Sequence, residues 1–203
     1  MLVWPRYKLK MVNTLERKEA VRLAQQLWQT SPVYLDTETT GTGPTAEIIE
    51  IAIIDQDGKL LFEALVKPRG PIEPDAARVH GITLDQLQGA PGWAEVWPQA
   101  EAVLAGRRVG TYNSDFDVRL IKQSHQRNWI NLRLPEENFF CIMKLYARFY
   151  GERDPRSRSF RWQTLELAGK QCQIPLPNSH RAKDDALLAR ALLEYMANWP
   201  GKP

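Results

Sequence analysis

The stretch from Glu47 to Asp55 does most to limit the folds open to this chain, because five isoleucines and an alanine fall between its two terminal acids. A run of that length and composition reads as a buried strand. Asp57-Gly58 follows, a pair suited to the positive-φ positions of a tight hairpin, and Lys59 to Lys67 supplies the returning strand. Upstream, Val33 to Glu38 is another extended run, separated from a preceding helix by Pro32 and ended by the Gly41-Thr42-Gly43-Pro44 turn. Three strands in succession, joined by short turns, predict an antiparallel meander.

The remainder is mainly helical. Asn13-Thr14-Leu15-Glu16 has the form of a capping box and opens a helix to about Trp28, with Leu15, Val21, Ala24 and Leu27 roughly on one side. Pro68, Pro71 and Pro74 interrupt regular structure after the meander. Helices are predicted at Pro74 to Val79, Leu84 to Leu87, Trp93 to Leu104, Ser114 to Gln126, Cys141 to Tyr150, Trp162 to Cys172 and Lys183 to Asn198. A short strand fits Arg107 to Tyr112, and Ile174 to Pro177 breaks the last two helices apart. This order predicts an α/β chain with a mixed sheet packed by helices.

The 203 residues suit a single domain, with 1–30 as a helical extension, 31–198 as the main unit and 199–203 as a short tail. No apolar run is long enough to span a membrane, and Met1 to Met11 does not read as a signal peptide. Two cysteines, Cys141 and Cys172, make neither a disulfide framework nor a zinc site. A cytoplasmic protein with reduced thiols is expected. The net charge of +3 is a weak pointer to a polyanion. Arg148, Arg153, Arg156, Arg158 and Arg161 crowd around Gly151 and Pro155, as a basic loop that either touches phosphates or is simply solvated. Trp93, Trp97 and Trp129 read as packing residues.

Asp36-Thr37-Glu38 closes the first strand. Residues i and i+2 of a strand share a face, so both carboxylates aim at one point. Two anions so close repel unless a cation sits between them, and a hard divalent ion such as Mg²⁺ or Mn²⁺ prefers oxygen ligands. Taken alone the pair fits solvated acids at a strand end better, since strand ends are often polar. A second acidic group, Asn113-Ser114-Asp115-Phe116-Asp117, falls where a strand gives way to a helix, a junction that favours ligand-bearing residues. Asp115 and Asp117 compete for one role: Phe116 and Leu120 must face the core, so Asp117 can face a cleft while Asp115 favours the helix N-terminus, but taken alone the pair fits helix capping better than catalysis. A third group runs from His180 to Asp185 at the start of the last helix, where a loop histidine taken alone is more often exposed and idle than functional. Asp184 and Asp185 point about 100° apart; Asp185 lies beside the buried side marked by Leu188, Leu192 and Tyr195.

With these residues in view the chain resembles the DnaQ-like 3′–5′ exonucleases of the DEDDh type, in the ribonuclease H-like superfamily. The family's D-x-E is matched by Asp36 and Glu38, its N-x-x-F-D by Asn113 to Asp117, and its H-x-A-x-x-D-A by His180, Ala182, Asp185 and Ala186. Val79-His80-Gly81-Ile82-Thr83 is a further match, and the resemblance runs from about Ser31 to Leu193. The chain departs from the family at Tyr112, where many members have His, and at Cys141, where an Asp is common; neither position carries the metal in the family.

The resemblance implies a ribonuclease H-like fold and removal of nucleoside monophosphates from the 3′ end of DNA, preferably single-stranded, by two-metal-ion hydrolysis. Asp36, Glu38, Asp117 and Asp185 would hold two Mg²⁺ or Mn²⁺ ions, with Asp36 as the bridge and His180 as general base. Thr39 and Thr40 would meet the terminal nucleotide through backbone N–H groups, and Asn113 would support the second motif or touch substrate. His80 reads as a structural residue under the first strand. RNA is the alternative polymer, since the motifs do not report on a 2′-OH. A noncatalytic nucleic-acid-binding or polymerase-accessory module is the other alternative. A DNA polymerase or a second copy of the chain is the expected protein partner, and no membrane is involved.

Overall fold

The structure, a computed structural model, describes residues 15–131, 135–157 and 159–200. The N-terminal segment with Asn13 and Thr14 of the capping box, Arg158, and residues 201–203 of the tail lie outside it. The elements run α1 (Leu15–Trp28), β1 (Val33–Thr39), β2 (Ile48–Ile54), β3 (Leu60–Leu65), α2 (Pro74–His80), α3 (Leu84–Leu87), α4 (Trp93–Leu104), β4 (Val109–Thr111), α5 (Ser114–Arg127), β5 (Phe139–Cys141), α6 (Ile142–Tyr150), α7 (Leu165–Gln171) and α8 (Ala182–Ala197).

The sheet has the order β3-β2-β1-β4-β5. The expected meander is its antiparallel half, β1–β2–β3, and β4 and β5 add in parallel. The β2–β3 turn forms at Asp57-Gly58 with Gly58 alone of the pair at positive φ (+82°), and the Asp55 carboxylate accepts from the N–H groups of Asp57 and Lys59 at 2.9 Å each. All seven residues of β2 are buried, and helices cover both faces. On one face Tyr34 and Ile54 join α1, α6, α7 and α8 in one apolar cluster. On the other, Val33, Leu35, Ile51 and Ile53 pack against α4 and α5. Strand parity therefore sends Asp36 and Glu38, which alternate with Leu35 and Thr37, to the α8 side.

Several local expectations shift. Cys141 ends β5 instead of starting a helix, and β5 itself was too short to show a pattern. The helix expected from Trp162 begins at Leu165, after the Thr164 hydroxyl accepts the Leu167 N–H at 3.2 Å as an N-cap. In α1 it is Arg17, Ala20 and Ala24 that are buried, while Leu15 is 71% exposed. Arg17 is drawn inward because its guanidinium donates to the Phe149 and Tyr150 carbonyls at 2.6 and 3.0 Å, closing the C-terminal end of α6. Trp93 and Trp97 pack as expected, but Trp129, at φ +57°, is 90% exposed. Much of the basic segment is neutralised: Arg148 pairs with Glu19 (3.7 Å), Arg153 with Glu16 (2.8 Å) and Arg161 with Glu152 (3.0 Å). No described helix is long and apolar enough to cross a membrane.

Candidate active site

The end of β1, the central strand of the sheet, meets the start of α5 and the start of α8. Asp36, Glu38 and Asp185 each bring a carboxylate oxygen within 4.8 Å of the others. Asp36 and Glu38 get there by strand alternation. Asp185 gets there because it lies in the first turn of α8, whose N–H donates to the Arg181 carbonyl at 3.1 Å. Asp184, one residue earlier, turns away and accepts a hydrogen bond from Ser179.

Asp117 comes to the same place from α5. It is buried, and the Thr37 hydroxyl, on the far face of β1, donates to it at 3.0 Å. Its own N–H donates to the Asn113 carbonyl at 3.3 Å, which is how Asn113, at the N-cap position, contributes. Asp115 is exposed and pairs with Lys144 at 2.6 Å. Leu120 and Ile121 enter the core on the α4/α5 side and set the rotation of α5 that turns Asp117 inward.

The electrostatics follow from crowding. Burial pushes the carboxyl of Glu38 up to about 8, with Asp185 and Glu50 adding to it and Arg181 opposing. Burial raises Asp117 to about 7 against the help of the Thr37 hydroxyl. Asp36 is held well above the usual carboxylate range by burial and then by its neighbours Asp117, Glu38 and Asp185. Asp185 is raised by burial as well, and its Oδ1 is buried without a hydrogen-bond partner. Oxygen donors converge here without enough positive charge to balance them, which is the condition a divalent cation relieves. The residues present thus fit such an ion on their chemistry and on the stranded Oδ1.

His180 stands at the rim. Its side chain is 47% exposed, its backbone sits at φ +54°, and its Nδ1 is 3.9 Å from Asp185 Oδ2. A cleft of about 320 Å³ opens beside Glu38, bounded by Thr39, Gly41, Glu73, Val79, His80 and Phe116. Its two sides are tied together: the Glu73 N–H donates to the Thr40 carbonyl at 2.7 Å, and the Glu73 side chain lies against Gly41, where a Cβ would be 2.2 Å from its carboxyl carbon. His80 is buried and neutral in tendency, its pKa lowered by burial, and its Nδ1 accepts the Ile82 N–H at 2.9 Å. It shapes the turn after α2 and also forms cleft wall.

The two threonines after Glu38 are differently engaged. The Thr40 N–H already donates to the Glu47 carbonyl at 2.8 Å, and its hydroxyl accepts the Glu47 N–H at 2.9 Å. Thr40 is therefore committed to holding the loop after β1, and of the two threonines only Thr39 borders the cleft. A residue that the motifs did not single out also belongs to this neighbourhood. Glu50 of β2 is paired in register with Glu38 and is 1% exposed. The signal for it was present: in Ile48-Ile49-Glu50-Ile51 it is a lone charge inside a buried strand, and buried acids are rare unless paired.

Comparison with known proteins agrees with this geometry. The family model described as Exonuclease matches residues 33–193. An exonuclease of Escherichia phage 186, named uncharacterized exonuclease CP81, is 32% identical over 170 residues, covering 81% of this chain and 87% of its own. The DNA polymerase III epsilon subunit of Escherichia coli K12 is 29% identical over 122 residues, which are 55% of this chain and 49% of that one. Exonuclease X, solved in complex with 5′ overhanging duplex DNA, superposes with a TM-score of 0.60 at 27% identity, over 84% of this chain and 93% of its own. E. coli exonuclease I, solved with a dA16 oligonucleotide, matches in fold, with a TM-score of 0.63 at 18% identity over 81% of this chain and 42% of its own. The chain belongs to the DnaQ-like exonuclease family, with its ribonuclease H-like fold, and is a nuclease of that family.

Proposed function

We propose that this exonuclease removes nucleoside monophosphates from the 3′ end of DNA, preferably single-stranded, with two Mg²⁺ or Mn²⁺ ions and His180 as general base. The observation that carries the reading is the convergence of Asp36, Glu38 and Asp185 within 4.8 Å, with Asp117 beside them. Phosphodiesters resist attack because their anionic oxygens repel an anionic nucleophile. When bound, divalent ions would screen that charge, favour ionisation of the attacking water and steady the leaving oxygen.

The chain's own groups do the rest. Asp36 and Glu38 provide the rigid half of the ligand set, since both are fixed by β1 and its pairing to β2. Asp117 is oriented by Thr37, and Asp185 by the first turn of α8. His180 is exposed enough to meet solvent and close enough to Asp185 for its imidazole to be steadied as it accepts the proton of the attacking water. The cleft beside Glu38 has apolar walls in Val79 and Phe116, suited to the face of a terminal base, and Thr39 and Gly41 line the side toward the acids. Its narrowness favours an unpaired end. The exonuclease unit is read as residues 31–198, working in the cytoplasm, with a DNA polymerase or a second copy of the chain as protein partner.

Digestion of 5′-labelled DNA and RNA oligonucleotides with free or blocked 3′ ends, in chelator and then in Mg²⁺ or Mn²⁺, tests the reading. Stepwise shortening of DNA from a free 3′ end, only with metal, is expected. Faster digestion of RNA would move the substrate to the other polymer, and digestion of 3′-blocked chains from the 5′ end would overturn the polarity.

A further inference from the structure

Glu50 lies beside the candidate metal ligands, yet its oxygens are already spent. Both accept from Arg181 Nε at 3.1 Å, Oε1 also accepts from Arg181 Nη2, and Oε2 accepts the Ala182 N–H at 3.0 Å. Its side chain is 2% exposed. Arg181 sits at the N-cap position of α8, and no side chain of its own caps that helix. The cap comes instead from a carboxylate on β2. The two residues it pins, Arg181 and Ala182, lie between His180 and Asp185.

We propose that the Glu50–Arg181 pair is a positioning and charge-balancing device for the metal site: it locks the His180–Asp185 segment onto the sheet and keeps a fifth carboxylate out of the ligand set. This rests on the two-metal reading given above. Two independent features carry it. One is geometric. His180 is held at φ +54°, a backbone state that a non-glycine residue rarely adopts. The next two residues are tied to β2 through three nitrogen donors, and β2 is paired in register with β1 at Glu38. The base, the helix-borne ligand and the strand-borne ligands thus share one rigid frame.

The other feature is charge. Asp36, Glu38, Asp117 and Asp185 together match the charge of two divalent cations. Glu50 faces the same side as Glu38 and would make the set over-anionic. Arg181 cancels it through paired hydrogen bonds, the geometry at which guanidinium excels over ammonium.

The two single substitutions should move metal binding in opposite directions. Arg181→Met frees a buried anion beside the ligands and should tighten binding of the first Mn²⁺, read by titration calorimetry on the protein without nucleic acid. Glu50→Gln leaves an unpaired guanidinium and should weaken it. The double substitution should bring the midpoint back near the parent. Arg181→Lys, which keeps the charge and loses the fork, should leave the midpoint unchanged. All four should lower kcat on a 3′-hydroxyl oligonucleotide at saturating metal by about 10–100-fold, the usual cost of losing a group that orients metal ligands, with KM changed by less than about threefold.

Midpoint shifts of the same sign in both single variants, in step with lost melting temperature, would reduce the pair to a structural salt bridge. So would kcat within about twofold of the parent in Arg181→Lys, the mildest change. Failure of the parent to cut nucleic acid while its Mn²⁺ midpoints still follow the predicted signs would sink the activity reading and leave the pair's role standing.

Discussion

Two buried regions on opposite faces of the same sheet treat polar groups in opposite ways. On the α4/α5 face, His125 is 1% exposed among tryptophans. Its Nδ1 lies 2.7 Å from the Ile121 carbonyl and 3.3 Å from Trp93 Nε1, and the rings of Trp93 and Trp97 meet it edge-on at 5.6 and 4.6 Å. Burial lowers its pKa, so the ring is held neutral and packs as an aromatic. On the α8 face, acids are gathered whose charges the surrounding protein leaves uncompensated. The first region packs a neutral ring among aromatics, with Nδ1 bonded and Nε2 left without a partner among the described residues. The second gives up stability to hold a ligand, the trade seen where a site is preorganised.

The contrast is sharpest under substitution. Asp36→Asn should lower kcat/KM on the order of 10⁴-fold, as loss of a central catalytic group does, while the protein stays folded by circular dichroism. His180→Ala should cost roughly 10²–10⁴-fold, the range for a general base, measured at saturating metal. Trp97→Ala belongs to the other region and should act on unfolding: about 3–5 kcal/mol less stable in a denaturant titration, with kcat/KM per folded molecule within about threefold of the parent. A large catalytic defect in that folded fraction would break the separation between the faces. The smallest effect has the opposite sign. Glu38→Gln removes a carboxyl that must either take up a proton on folding or stay ionised beside its neighbours, and should raise the melting temperature of the metal-free protein by about 2–4 °C, near 1 kcal/mol for a chain this size. Saturating Mn²⁺ should erase that gain, because the parent then gains binding energy that the variant has lost.

The two regions were also unequally legible in sequence. Asp36, Glu38, Asp117 and Asp185 stood out because three motifs follow the order of the resembled family; periodicity only showed which acid of each doublet could face inward, and taken alone it favoured solvated or capping acids. The meander was visible through the isoleucine run and Asp57-Gly58. What escaped depends on partners distant in the chain. Glu50 is explained by Arg181, Arg17 by the end of α6, and the committed Thr40 N–H by Glu47, none of which a local pattern shows. Trp129 was misread because a tryptophan's size argues for burial wherever it stands. Strand β5, three residues long, offers too few positions for any period and is recruited by pairing with β4.

The last helix has a consequence for how such a protein comes into being. Asp185, His180 and Arg181 all arrive with α8 or the residues just before it, whereas Asp36, Glu38 and Glu50 lie in the first strands. Chains emerge N-terminus first during synthesis, so a growing polypeptide carries its strand acids long before their counterparts exist. Until α8 docks, Glu50 has no guanidinium and the ligand set is short of Asp185. Under the proposed ligand set, the strand acids gain Asp185 and the Arg181 guanidinium only when α8 docks, so the last helix completes a site that β1 and β2 have already laid out.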